Sequence, residues 1–188
     1  GDVYKRQSEM DVYERLVSLP QLGIFYAKPH CPEPGNIRAE LQLGSNVLYI
    51  CCQSLQKYLP REDHVWASIA KQVPDAQIVF IGLPGAHSTQ VFTQRLQKAF
   101  EKEGLDWTSH CVILPRLTPT QYLRLNGAAD VYLDSPSWSG GNTSLEAIAY
   151  GLPVVTKTGE TMRERHTSAM LIGMDMREWV ADSYDEYV

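Results

Sequence analysis

Nowhere does this sequence run through the roughly 20 consecutive apolar residues that a helix needs to cross a bilayer. No charged-then-apolar leader opens it either, so it reads as a cytoplasmic chain with no membrane span. Cysteine is sparse. The four present, Cys31, Cys51, Cys52 and Cys111, form no CxxC pair and no zinc-like pattern with the five histidines. They are read as reduced, buried thiols, two of them inside apolar strand-like runs. No set of carboxylates and histidines has recognisable ligand spacing, so no metal is expected. Runs of one charge are also missing: the formal net charge is -5 and the acidic residues are dispersed, which argues against a nucleic-acid partner. Internal repeats and low-complexity tracts are absent too.

What remains is the composition of a soluble globular chain, 44% hydrophobic and 21% charged over 188 residues, long enough for one good core. Asp2 to Gln7 resembles the translation of a sequencing-library adapter, and residues 1–7 are set aside. Residues 8 to 45 read as irregular, with one apolar stretch at Leu22 to Ala27 and turn formers at Pro29, Pro32, Pro34 and Gly35. From Asn46 onward, short β-rich runs alternate with segments of helical period, the pattern of a parallel sheet covered by crossover helices. The runs are Val47 to Cys52, Gln77 to Leu83, Cys111 to Leu114, Val131 to Asp134 and Pro153 to Thr156. They are nearly continuous in apolar residues, as strands buried on both faces are. Between them, Trp66, Ile69, Ala70 and Val73 share one helical face. Phe92, Leu96, Ala99 and Phe100 share another, ending at Gly104 with Lys102 in the last turn. Segments near 119–128, 143–150 and 161–172 complete five βα units.

Open α/β sheets bind ligands at the carboxyl ends of their strands, so the loops after each run are the candidate site. After the fourth run, Gly140 and Gly141 let backbone approach a ligand, and Asn142, Thr143 and Ser144 open a helix whose N-terminus favours an anion. Two readings stand: a diphosphate cradle, or an ordinary helix cap on Asn142 or Thr143. Glu146, in the first turn, is either an acceptor for a ribose diol or a compensating charge on the helix dipole. Lys57, in the loop Gln53 to Pro60, is either a cation aimed at a departing diphosphate or a solvated surface residue. The loop Pro115 to Pro119 leads to Tyr122, which can offer an aromatic face to a base. The loop Leu83 to His87 matches no phosphate fingerprint and reads as a turn. The polar run Lys157 to His166 either turns Arg165 and His166 toward the cleft or forms a solvated face.

The run ADVYLDSPSWSGGNTSLEAIAYGLPVVTKTGETMRERHTSAML resembles the donor-binding domain of the protein O-linked N-acetylglucosamine transferase and Spindly-like family, including bacterial relatives with tetratricopeptide repeats. The likeness runs from about Leu43 to the end. It implies a Rossmann-like parallel sheet flanked by helices, the C-terminal lobe of a two-lobed (GT-B type) glycosyltransferase. Residues 43–188 are then the nucleotide-sugar-binding domain, cut before a closing helix, and residues 8–42 are a linker or the tail of an absent N-terminal lobe. The resemblance further implies inverting transfer from a uridine diphosphate sugar, without a metal or other cofactor, to a protein hydroxyl or amide. By the same resemblance Lys57 contacts the diphosphate, Gly141, Asn142 and Thr143 hold the phosphates, and Glu146 holds the ribose. Leu117 and Tyr122 fall at the uracil, Gln53 and Ser54 line the donor loop, and Arg165 matches a motif after the last strand. Better-known members carry histidine and two threonines where this chain has Gly141, Asn142 and Thr143. Ser54 stands for a glutamine, Tyr122 for a histidine and Glu146 for an aspartate. The sugar, N-acetylglucosamine or a plain hexose, is therefore left open. A two-lobed transferase acting on lipid or small-molecule acceptors and a nucleotide-binding module without chemistry are the competing readings.

Overall fold

The computed structural model describes Val17 and residues 25–188; the adapter-like segment and much of the stretch before residue 25 lie outside it. Six parallel strands form one sheet: β1 (Val47–Cys51), β2 (Ala76–Ile81), β3 (Cys111–Leu114), β4 (Val131–Leu133), β5 (Val154–Lys157) and β6 (Val180–Ala181). Their spatial order is β3-β2-β1-β4-β5-β6. The chain builds outward from β1 to one edge, returns beside β1 at β4 and builds to the other. That reversal leaves a crevice beyond the carboxyl ends of β1 and β4.

Five of these strands are the apolar runs of the sequence, β3 with the same ends and the others shifted by one or two residues. The sixth was not anticipated, because two residues carry no readable period. A short helix, α1 (Ile37–Glu40), also forms within the stretch read as irregular. Its Ile37 is fully buried, and Glu40 accepts both Nη groups of Arg124 at 2.8 and 2.9 Å.

Helices cover both faces. One face carries α2 (Asp63–Gln72), α3 (His87–Lys102) and α7 (Tyr184–Tyr187), and the other carries α4 (Pro119–Ala128), α5 (Asn142–Ala149) and α6 (His166–Gly173). Phe92, Leu96, Ala99 and Phe100 are the buried face of α3 as the period predicts. Gly104 follows at φ +72°, a left-handed position that glycine occupies without a Cβ clash. Thr118 and Gln121 cap α4 reciprocally, with Pro119 in its first turn, where no amide hydrogen is missed.

Beneath α2 and α3, Tyr58, Trp66, Phe80 and Phe92 pack mostly edge to face, with Phe80 and Phe92 centroids 5.0 Å apart and Trp66 and Phe80 5.5 Å apart. Such contacts add to the area they bury. This cluster also sets the site, since the Tyr58 hydroxyl accepts the amide of Gln53 at 3.0 Å. Arg95 fixes the same corner by donating to both oxygens of Asp63 and to the Tyr58 carbonyl. Replacing Phe80 with alanine is expected to cost about 3–5 kcal/mol, read from urea denaturation. A loss below about 1 kcal/mol would mean that the cluster is not close-packed.

Candidate donor site at the β1 and β4 carboxyl ends

After β1 the chain turns through Cys52, Gln53 and Ser54 into one turn of 3-10 helix, Leu55–Lys57. Leu55 and Tyr58 are buried and clamp this turn at both ends, leaving Lys57 at the mouth of the crevice. Gln53, itself buried, joins two parts of the site. Its Oε1 accepts the Lys57 ammonium at 2.9 Å, and its Nε2 donates to Thr143 Oγ1 at 3.0 Å. The loop after β1 and the start of α5 are thereby held together, as the strand order requires.

The start of α5 separates the two readings of its residues. Gly141 occupies the capping position and no side chain caps the helix. Neither Asn142 nor Thr143 is therefore an ordinary cap, and the first-turn amides have no intrahelical acceptor. A Cβ on Gly141 would meet no atom within 4 Å, whereas one on Gly140 would lie 2.3 Å from Ser144 Oγ and 2.7 Å from Thr143 Oγ1. Gly140 is thus needed for close packing, and Gly141 faces open space.

The loop between β4 and α5 is built around Asp134, which is fully buried. Its carboxylate accepts the Gly140 amide, the Ser139 hydroxyl and the Thr156 hydroxyl, each at 2.7 Å. A carboxylate only accepts, so the Ser139 proton is used there. Thr167 Oγ1 lies 2.8 Å from Ser139 Oγ and 2.7 Å from Ser144 Oγ, carrying the network into α5 and α6. Burial pushes the Asp134 pKa up, and the bonds from Gly140, Thr156 and Ser139 oppose it. On the other side, Ser137 donates to the buried Glu62 and accepts from Arg61 at 2.8 Å. Trp138, between these anchored serines, remains 42% exposed.

Glu146 lies past the first turn of α5, which starts at Asn142 and holds no acidic residue there, rather than within that turn as the sequence suggested. It is half-buried, and burial raises its pKa. Beside it, the Cys52 thiol is pushed up to about 12 by burial and by the Glu146 charge. Tyr122 shares these neighbours. Its hydroxyl end is buried and its pKa lies well above the ordinary value for that reason, so only part of its ring faces outward. Leu117 packs partly against the core beneath α4, and Ser54 is exposed. Arg165 turns its guanidinium back on the Glu160 and Thr161 carbonyls.

Asp134, Trp138, Ser139, Thr167 and Glu62 carry the geometry, and sequence reasoning gave none of them a role. The one signal was the position of Asp134 at the end of a strand. The loop after β2, read as a mere turn, also contributes: Gly82 and Leu83 join Gln53, Ser54 and Arg116 around a cavity of about 440 Å³. Among the described residues, no group of His, Cys, Asp or Glu is placed to hold a metal, and no helix is long and apolar enough to cross a membrane.

A parallel sheet in this order, with a glycine-bearing loop feeding a helix at the switch point, is the fold of a lobe of the two-lobed glycosyltransferases. The chain belongs to glycosyl transferase family 41, whose model matches residues 36–188. It is 28% identical over 181 residues to the probable UDP-N-acetylglucosamine peptide N-acetylglucosaminyltransferase SPINDLY of Arabidopsis thaliana, covering 93% of this chain and 19% of that protein. A mutant O-GlcNAc transferase of Thermobaculum terrenum superposes with a TM-score of 0.72 at 31% identity, over 93% of this chain and 32% of that one. The fold likeness extends to Anabaena HepE, solved with UDP and glucose, at 20% identity and a TM-score of 0.53, over 69% of this chain and 34% of that one. The chain thus spans about a fifth of the curated SPINDLY relative's length.

Removing the Asp134 carboxylate leaves two hydroxyls and an amide without their buried acceptor, each costing about 1–3 kcal/mol if unsatisfied. Asp134→Ala is expected to lower the melting temperature and to speed hydrogen exchange across residues 135–141. Unchanged exchange there would show that the carboxylate does not hold the loop.

Proposed function

We propose that this chain is the donor-binding lobe of an inverting, metal-independent glycosyltransferase that takes a uridine diphosphate sugar, carrying either N-acetylglucosamine or a hexose, and glycosylates a protein hydroxyl or amide in the cytoplasm. The observation that carries the reading is the bridge from Lys57 through Gln53 to Thr143 at the switch point. It sets an ammonium and an uncapped helix N-terminus around one place. Both favour an anion, and a diphosphate fits between them.

In this reading the first-turn amides of Asn142 and Thr143 hold the phosphates while Glu146 accepts from the ribose hydroxyls. Leu117 and Tyr122 border the uracil, and Gln53 and Ser54 line the same pocket. When the bond between the anomeric carbon and the phosphate oxygen breaks, its electron pair stays on the diphosphate. Lys57, already fixed by Gln53, stabilises that growing charge more than it stabilises the bound donor. Positive charge that a metal supplies in other transferases comes here from side chain and backbone. The acceptor and the remaining wall of the site come from a preceding lobe, with tetratricopeptide repeats as the acceptor-binding element. The names of the SPINDLY relative and of the Caenorhabditis elegans peptide N-acetylglucosaminyltransferase support peptide acceptors over lipid ones.

In the full-length protein, Lys57→Ala is expected to lower kcat about 10²–10³-fold, the range for losing one preorganised charge-stabilising donor. Unchanged turnover would remove Lys57 from the chemistry, and UDP binding without turnover in the unaltered protein would instead identify a nucleotide-binding module. The raised pKa of Glu146 gives a second measurement. Only its ionised form is the strong acceptor, so UDP affinity should fall as pH drops through that raised pKa. Glu146→Gln should bind more weakly at neutral pH and lose this pH dependence. If both proteins follow the same titration by calorimetry, Glu146 does not contact the ribose.

A further inference from the structure

Two cations lie against one exposed indole. Lys57 Nζ lies 5.2 Å from the Trp138 ring centroid, and the Arg163 guanidinium carbon lies 5.2 Å from the same ring. An indole face attracts each cation, but two like charges held on one ring repel each other unless an anion joins them. Nearby carboxylates fill that place only in part: against the effect of burial, bonds from Thr161 and Glu160 and then the Arg163 charge hold the Glu164 carboxyl below its usual range, without an ion-pair contact to Arg163. Glu62 and Glu164 both approach Arg61, at 4.0 and 3.9 Å. Glu164 further uses its carboxylate on the amides of Glu160 and Thr161 and on the Thr161 hydroxyl. Among the described residues neither Lys57 nor Arg163 forms an ion pair.

The arrangement is built into the backbone rather than left to flexible side chains. Trp138 sits between Ser137, which is bonded to Glu62, and Ser139, which is bonded to Asp134. The Ser139 amide donates to the Arg163 carbonyl at 2.8 Å, tying the loop after β4 to the loop after β5 beside Trp138. Arg165, the arginine singled out from the sequence, closes its own turn. Arg163, two residues earlier, is the one that reaches the ring.

We propose that Trp138 aligns Lys57 and Arg163 as a two-cation clamp on the terminal phosphate of a nucleoside diphosphate, which makes Arg163 a second diphosphate-binding residue. This rests on the donor-site reading above. A terminal phosphate carries enough charge to join both cations, and a guanidinium offers paired donors to its oxygens. Uridine and its monophosphate do not extend to this clamp, so their affinity is independent of it.

The test is calorimetric titration of the full-length protein with UDP, UMP and uridine, using wild type, Arg163→Gln, Trp138→Ala, the double variant and Lys57→Ala. Arg163→Gln should weaken UDP about tenfold and leave UMP and uridine unchanged. Trp138→Ala should weaken UDP at least as much, with Arg163→Gln adding nothing in that background. Higher ionic strength should erase much of the difference between wild type and Arg163→Gln, since exposed charges are screened. Equal UDP affinity in wild type and Arg163→Gln, with Lys57→Ala still weakened, would overturn the clamp and leave the donor site standing. Parallel loss of uridine and UDP in Arg163→Gln would also overturn it, by making the residue merely structural. A wild-type protein that binds none of the three would remove the donor site and the clamp together.

Discussion

One buried carboxylate gives this lobe its working edge. Asp134 directly follows β4, takes hydrogen bonds from Gly140, Ser139 and Thr156, and through Ser139 and Thr167 reaches α5 and α6. A buried charge is tolerated when its acceptor positions are filled, and the bonds that fill them then fix their donors. Two of the fixed donors, Ser139 and Gly140, belong to the loop that leads into α5, Thr156 lies on β5, and the Asp134 carbonyl accepts the Tyr187 hydroxyl at 2.7 Å. Removing this group would disturb both the cradle and the packing of α7.

A second constraint acts across the sheet. The aromatic cluster beneath α2 and α3 positions the Tyr58 hydroxyl, that hydroxyl holds the Gln53 amide, and the Gln53 side chain holds Lys57 and Thr143. Apolar packing on one face thus decides where an ammonium stands in the crevice. The chain of cause runs from ring contacts to charge placement with no flexible segment between.

Much of this was legible in the sequence, and the part that was not has a common cause. Strands buried on both faces appear as apolar runs, and amphipathic helices show their period, so five strands and the main helices could be read directly. The loops at the carboxyl ends followed from the fold class, which is why Lys57, Gln53, Thr143 and Glu146 were singled out. The Asp134 network was invisible because its members are ordinary hydroxyl residues spread from 134 to 167, and only folding brings them together. Trp138 and Arg163 were missed for the same reason, and β6 because two residues have no pattern.

The hydroxyl network also bears on time. Both ends of the loop that carries Trp138 are fastened before any ligand arrives, at Ser137 and at Ser139. A site fastened in this way pays little ordering entropy on binding. On the proposed donor-site reading, nucleotide capture is then governed by diffusion and orientation rather than by loop closure. On the same reading residence time falls to the contacts themselves, and changes in the cradle act on how fast a nucleotide leaves.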